Sequence, residues 1–263
     1  MMHPMLNIAI QAARQASRII LRFMDQLDKV EVSQKDQNDF VTQVDKMSEK
    51  IIITEIQKAY PHHAILAEES GSHNSSNEEY CWIIDPLDGT RNFMHGFPQF
   101  AISIAVMKKN IPELGMIYDP IRQELFTATR GQGAYVNSRR MRISTAKKLA
   151  SALIGTGFPY KNKNKDCVKN YVTTFEKVLT HCGDIRRAGS ATLDLAYVAA
   201  GRLDGFWESD LKIWDMAAGV LMIKEAGGMI SDFHDGELYL EQGAVVAGNA
   251  KIHKELLALI TDN

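Results

Sequence analysis

WIIDPLDGTRNF, residues 82–93, opens as an apolar run and breaks at Asp85–Pro86, and that break organises the rest of the chain. Tyr80 to Ile84 reads as a strand. Pro86 has no N–H to give a ladder, so the strand is expected to end at Asp85 and the chain to turn there. Asp85 and Asp88 stand three residues apart around the turn, which lets both carboxylates point into one cavity. Gly89 permits close approach of backbone to a ligand. If the amides of Gly89 and Thr90 open a helix, they suit a phosphate oxygen. A turn-starting Asp85 and a helix-capping Asp88 would explain either residue taken alone.

The flanks set this turn in a layered α/β pattern. Upstream, Leu6, Ile10, Ala13, Ala16, Ile20, Phe23 and Leu27 recur every three or four positions and predict a helix over 6–27. A second helix is predicted over 44–59 through Met47, Ile51, Ile52 and Ile56, ending before Pro61. Residues 64–67 form a short strand before the break, and 101–107, 113–118 and 124–128 follow it as an antiparallel meander. Beyond about residue 151, strands (152–155, 204–208, 229–233, 244–247) alternate with helices (169–180, 191–200, 214–226, 251–260). The polar stretches 71–79 and 160–166 read as loops too short to link independent units. One domain over 1–263 is expected, with helices and antiparallel sheet to about 150 and alternating α/β thereafter.

Composition narrows the function. Thirty Lys plus Arg against 32 Asp plus Glu give a net charge of −2, too little to gather nucleic acid or an anionic membrane. No apolar run approaches the roughly 18 residues that cross a bilayer, and residues 1–27 lack the basic start of a signal peptide. A soluble, cytoplasmic protein is expected. Cys81, Cys167 and Cys182 are widely spaced, which supports neither a disulfide framework nor a zinc knuckle.

Carboxylates recur at other element ends. Glu68 and Glu69 follow a short strand, Asp45 begins one helix and Asp215 begins another. Magnesium takes oxygen ligands from a few carboxylates, waters and substrate phosphate. Two such ions about 4 Å apart stabilise both the attacking and the leaving oxygen of an in-line displacement. His62, His63 and His95 sit in no ligand spacing and carry the softer donor, so they read as structural or surface groups. Trp82, Trp207 and Trp214 flank acidic positions and read as packing around the site.

The blocks DFVTQVD (39–45), AEESG (67–71), WIIDPLDGTRNFMHGFP (82–98), RRAGSATLDLAYVAAGRLDGFWE (186–208) and WDMAAGVLMIKEAGG (214–228) together resemble the inositol monophosphatase family of lithium-sensitive phosphatases. The resemblance implies an αβαβα sandwich of the sugar phosphatase superfamily and a homodimer. It implies that Glu68, Asp85 and the Leu87 carbonyl hold one Mg²⁺ while Asp85, Asp88 and Asp215 hold a second. Glu68 would also serve a third, weaker ion, and Glu69 would support it. Asp45 would pair with Thr90, whose hydroxyl orients the attacking water. Gly89 and Thr90 would bind phosphate, with Asp88, Ala191 and Glu208 facing substrate hydroxyls and Arg186, Gly189 and Ser190 nearby. Glu208 precedes Asp215 by seven residues, as the family's pattern requires. Lys35 is a candidate basic group near the metals, and Thr156 and Gly157 stand where some relatives place a serine.

The activity so implied is hydrolysis of an inositol monophosphate, with fructose 1,6-bisphosphate or a 3′-phosphorylated adenosine nucleotide as alternative substrates. Glu208 favours a polyol, because a carboxylate there repels a second phosphate. Bacterial members resembling this chain also act as partners of the transcription antitermination machinery. The basic segment Arg139, Arg140 and Arg142 and the pair Arg186–Arg187 are candidate contacts for such a protein or RNA, although a solvated face or dimer edge is the commoner role for such residues.

Overall fold

The computed structural model describes residues 3–36, 39–73, 77–159 and 165–261. The chain opens with α1 (Pro4–Met24), where Pro4 sits in the first turn and the His3 ring caps the Met5 N–H. Its three-to-four spacing buries Leu6, Ile10, Ala13, Ala16 and Ile20 along one face. A hairpin of β1 (Val32–Asp36) and β2 (Asp39–Thr42) leads into α2 (Gln43–Ala59).

The first sheet has eight strands: β3 (His63–Ala67), β4 (Gly71–His73), β5 (Asn77–Asp88), β6 (Ala101–Lys108), β7 (Ile111–Asp119), β8 (Glu124–Thr129), β9 (Gly133–Val136) and β10 (Arg139–Arg140). Their order is β10-β9-β8-β7-β6-β5-β3-β4. Only β3 and β5 run parallel. A short helix, α3 (Thr90–Met94), leaves the sheet between β5 and β6.

The remaining elements are β11 (Leu153–Thr156), α4 (Lys165–His181), β12 (Asp184–Arg186), α5 (Ala191–Ala199), β13 (Gly205–Glu208), α6 (Ile213–Glu225), β14 (Met229–Ser231), α7 (Tyr239–Gln242), β15 (Val245–Gly248) and α8 (Ala250–Thr261). Their five strands form a second sheet in the order β12-β11-β13-β15-β14.

Strand β6 explains the layering. Every residue from Ala101 to Met107 is buried, so both faces of the strand are covered. Alternation sends Ile102, Ile104 and Val106 into a core shared with α1 and α2, and Ala101, Ala105 and Met107 into one shared with α5 and α6. The second face is lined with small residues because α6 lies close to it: a Cβ on Gly115 would come within 2.8 Å of the Ala218 Cα. The other side of the α5–α6 layer packs on the second sheet, whose outer face is covered by α4 and α8. This is the αβαβα order, helices between and outside two sheets, that the resemblance implied.

Several local expectations change. The strand over 80–84 does not end at Asp85 but runs to Asp88, because β5 takes three steps from Asp85 to Asp88 while β6 takes two from Ser103 to Ala101. The bulge absorbs Pro86 without a ladder hydrogen bond. Residues 71–73 pair with β3 as an edge strand, and 77–79 begin β5, although both lie in a stretch read as loop. An edge strand needs a neighbour on one side only, which its polar residues do not prevent. Residues 165–166 begin α4, and 160–164 lie outside the described residues. Lys35 falls in β1, with its side chain outside what is described.

Candidate active site

Helix α2 meets the first sheet with a divided face. Val44, Ile52 and Ile56 pack into the core, while Asp45, Ser48 and Glu49, at helical spacing on the first turns, are buried as polar groups. Each has a specific partner. Asp45 Oδ2 accepts the Thr42 N–H at 2.8 Å, closing a capping box, and its Oδ1 accepts from the Thr90 hydroxyl at 2.8 Å. Ser48 donates to the Pro86 carbonyl at 2.9 Å, and Glu49 accepts the Glu69 N–H at 2.8 Å. The helix therefore fixes the turns that carry Asp85 and Glu68. The expected Asp45–Thr90 pair is present; Ser48 and Glu49 were not anticipated, although their spacing from Asp45 was readable.

At the bulge, Asp85 Oδ1 accepts the Leu87 N–H at 3.0 Å, a turn that aims the chain out of the sheet. Gly89 then adopts φ +95° and precedes α3, and a Cβ there would lie 2.9 Å from the Gln99 carbonyl oxygen. Asn92 on α3 donates to the carbonyls of Gln99 (2.7 Å) and Ala188 (2.9 Å), tying this corner to the segment before α5. Asp88 reaches the same segment: its Oδ2 accepts from the Ser190 hydroxyl, the Thr192 N–H (3.0 Å) and the Thr192 hydroxyl. Asp215, in the first turn of α6, caps that helix through the Lys212 N–H at 2.7 Å. One oxygen of each carboxylate thus serves structure. The turn reading of Asp85 holds alongside the clustering, whereas Asp88 caps the start of the distant α5 and not the helix that follows it.

Ligand oxygens of Asp85, Asp88 and Asp215 lie within 4.8 Å of one another. Burial, then the nearby charges of Glu68, Asp88 and Asp215, hold the Asp85 carboxyl well above the usual carboxylate range. Burial also raises Asp88, against the hydrogen bonds from Ser190 and Thr192. Four acids crowded in this way call for positive charge, and oxygen-only donors of this kind fit a hard divalent cation such as magnesium. No histidine joins the cluster among the described residues. His63 instead stacks between Tyr60 and Tyr80 and pairs with Trp82 Nε1.

Beside the cluster lies a cavity of about 180 Å³. Of the residues named from the sequence, Glu68, Asp88, Gly89, Thr90, Gly189, Ser190, Ala191, Glu208 and Asp215 line it, with Thr156, Gly157 and Trp214. Asp85 and Leu87 lie behind it, each 1% exposed. Arg186 does not reach it: this residue is exposed and paired with Asp184, its Nη1 2.6 Å from Asp184 Oδ2. The wall is formed by Arg187, half-buried with its guanidinium 4.6 Å from the centre of the Phe158 ring.

Glu208 closes the far side. Its carboxyl is pushed well up by burial and by the charges of Asp194, Asp215 and Asp88, against the pull of Arg187. A Cβ on Gly157 would come within 1.7 Å of Glu208 Oε1, so a serine there requires the Glu208 carboxylate to move from this position. Asp194, which sequence reading passed over, lines the same cavity from α5. Its signal was a lone acid in the apolar stretch Ala191–Ala199.

The comparisons agree with this geometry. A protein of Pseudomonas aeruginosa named Nus factor SuhB is 52% identical over 261 residues, 98% of this chain and 96% of its own. The crystal structure of the extragenic suppressor protein suhB from Bartonella henselae superposes with a TM-score of 0.95 at 42% identity, covering 99% of this chain and 100% of that one. An inositol monophosphatase from Anabaena superposes with a TM-score of 0.83 at 35% identity, covering 98% and 95%. The model described as the inositol monophosphatase family matches residues 1–263, and with a layered fold and an acidic cavity of the kind such a phosphatase requires, this chain belongs to that family.

Proposed function

We propose that the protein is a cytoplasmic, magnesium-dependent and lithium-sensitive phosphatase that hydrolyses an inositol monophosphate to inositol and phosphate. The observation that carries this reading is the convergence of Asp85, Asp88 and Asp215 within 4.8 Å beside a cavity walled by Glu208. Glu68, Asp85 and the Leu87 carbonyl would hold one magnesium ion and Asp85, Asp88 and Asp215 a second, with Glu68 also serving a third. Bound there, magnesium supplies positive charge to the phosphoryl oxygens and lowers the pKa of an attacking water.

The chain's own residues do the rest. Asp45, anchored by the Thr42 N–H, holds the Thr90 hydroxyl proton, which turns the lone pairs of Thr90 Oγ1 towards a water. The amides of Gly89 and Thr90 take phosphate oxygens as charge develops on them. Glu208 accepts polyol hydroxyls and disfavours a second phosphate. The α5–α6 layer shared by both sheets supports treating residues 1–263 as one domain. A homodimer is the expected assembly.

Phosphate release from inositol 1-phosphate, fructose 1,6-bisphosphate and a 3′-phosphorylated adenosine nucleotide, each with Mg²⁺, EDTA or lithium, tests the reading. Preferential release from inositol 1-phosphate that needs Mg²⁺ and falls with lithium is the expected result. Preference for another ester changes the substrate, and no release from any overturns the enzyme. A second role, as a partner of transcription antitermination proteins or RNA, is supported by the name Nus factor carried by relatives at 52% identity. Asp88→Asn separates the two roles: hydrolysis should be lost and partner binding kept.

A further inference from the structure

Asp194 is 2% exposed and lines the cavity from the first turns of α5. Among the described residues, no hydrogen bond reaches its carboxylate, and none reaches that of Glu208, which is 8% exposed. Buried carboxylates ordinarily have donors, so two neighbouring ones without any are acceptors held for something that enters the cavity. Arg187 lies within electrostatic reach of both. The backbone keeps the space clear. Gly157 faces Glu208, and a Cβ there would come within 1.7 Å of its Oε1.

We infer that Asp194 is a second hydroxyl-reading residue of this site, which with Glu208 selects a leaving group presenting two hydroxyl donors to adjacent carboxylates. The inference rests on the phosphatase reading above. It excludes esters whose leaving group has no hydroxyls, since such a group enters the cavity without satisfying either carboxylate. It equally disfavours a leaving group with its own anion, which would meet two carboxyl groups in place of donors. Asp194 and Glu208 line the same cavity as Asp88 and Asp215 but stand outside the three-carboxylate cluster that would hold the metal.

The test compares kcat/KM on inositol 1-phosphate with that on phenyl phosphate, which has no hydroxyl, for wild type and Asp194→Asn. Loss of a charged acceptor should lower the ratio of the two at least about tenfold, mainly through KM. A proportionate fall on both substrates, or none, overturns the inference and leaves Asp194 a structural partner of Arg187. Should the variant not fold, the wild-type enzyme is assayed on singly deoxygenated inositol 1-phosphates. Two different hydroxyls must each prove costly to remove, and a single sensitive hydroxyl overturns the inference. Wild type that hydrolyses phenyl phosphate as well as inositol 1-phosphate overturns the substrate reading itself, a result distinct from either outcome with the variant.

Discussion

Replacing Asp85 by Asn should do opposite things to the protein with and without metal. The carboxylate faces Asp88 and Asp215 at no more than 4.8 Å. At an effective dielectric constant near 20, each such pair repels by at least about 3.5 kcal/mol if both are ionised. Part of this is relieved by proton uptake, which is the meaning of the raised Asp85 carboxyl. The sign follows: a folded-state pKa above the unfolded value gives stability that is full below the unfolded pKa and is lost as pH rises towards the folded one. At neutral pH without metal, the cluster therefore destabilises the fold.

Asn keeps the acceptor for the Leu87 N–H and removes the charge, so a gain of about 2 kcal/mol is expected, or a Tm higher by about 4–8 °C. With Mg²⁺ at a hundred times its Kd the wild type gains about 2.7 kcal/mol and the variant little. Thermal unfolding followed by circular dichroism at pH 7.5, in EDTA and in Mg²⁺, reads both effects. Asp85→Asn should be the more stable protein in EDTA and the less stable in Mg²⁺, with hydrolysis reduced by several orders of magnitude. A variant destabilised equally in both buffers would refute the repulsive, cation-filled cluster, and near-native turnover would refute the metal scheme.

Thr90→Ala should lower kcat by about 10²-fold or more, whereas Thr90→Ser, which keeps the hydroxyl on Asp45, should retain most of it; equal losses would remove the hydroxyl from the chemistry. Gly157→Ala forces Glu208 from its place, so kcat/KM on inositol 1-phosphate should fall about tenfold or more, with about 1–3 kcal/mol of overpacking visible in urea unfolding. An unchanged KM would mean that Glu208 is not where substrate binds. His253 is buried against Ser231, and burial holds its pKa below the ordinary 6.5. Its contribution to stability is full above that value and is lost as pH falls through the folded pKa. His253→Gln should therefore flatten the acid limb of the stability profile between about pH 7 and 5 relative to wild type, and parallel profiles would assign the acid sensitivity elsewhere.

How far the sequence reached is clearest where it fell one residue short. The pair Arg186–Arg187 offers two identical side chains, and adjacent residues of an extended chain point to opposite sides. Which one enters the cavity depends on how β12, three residues long, registers on β11, and no local pattern encodes that. The structure turns Arg186 out to Asp184 and Arg187 in to Phe158. Asp194 escaped for a related reason, since one acid in an apolar helix reads as a solvated residue until the second sheet is known to cover it. The edge strand β4 escaped because an edge needs little apolar pattern.

By itself the sequence determined what depends on local periodicity and residue chemistry. The apolar spacing of α1 and the buried run of β6 specified elements of an α/β chain, while the αβαβα layering was implied by the family resemblance. The carboxylates at the element ends specified an acidic cluster of the donor type that suits a hard cation. Tertiary structure alone decided which polar groups share a space. The bulge that swings Asp88 onto Ser190 and Thr192, the reach of Ser48 and Glu49 to turns up to 38 residues away, and the close approach of Glu208 to Gly157 all join distant segments. Such contacts are set by packing two sheets about one layer of helices, and a chain read one neighbourhood at a time carries no record of that packing.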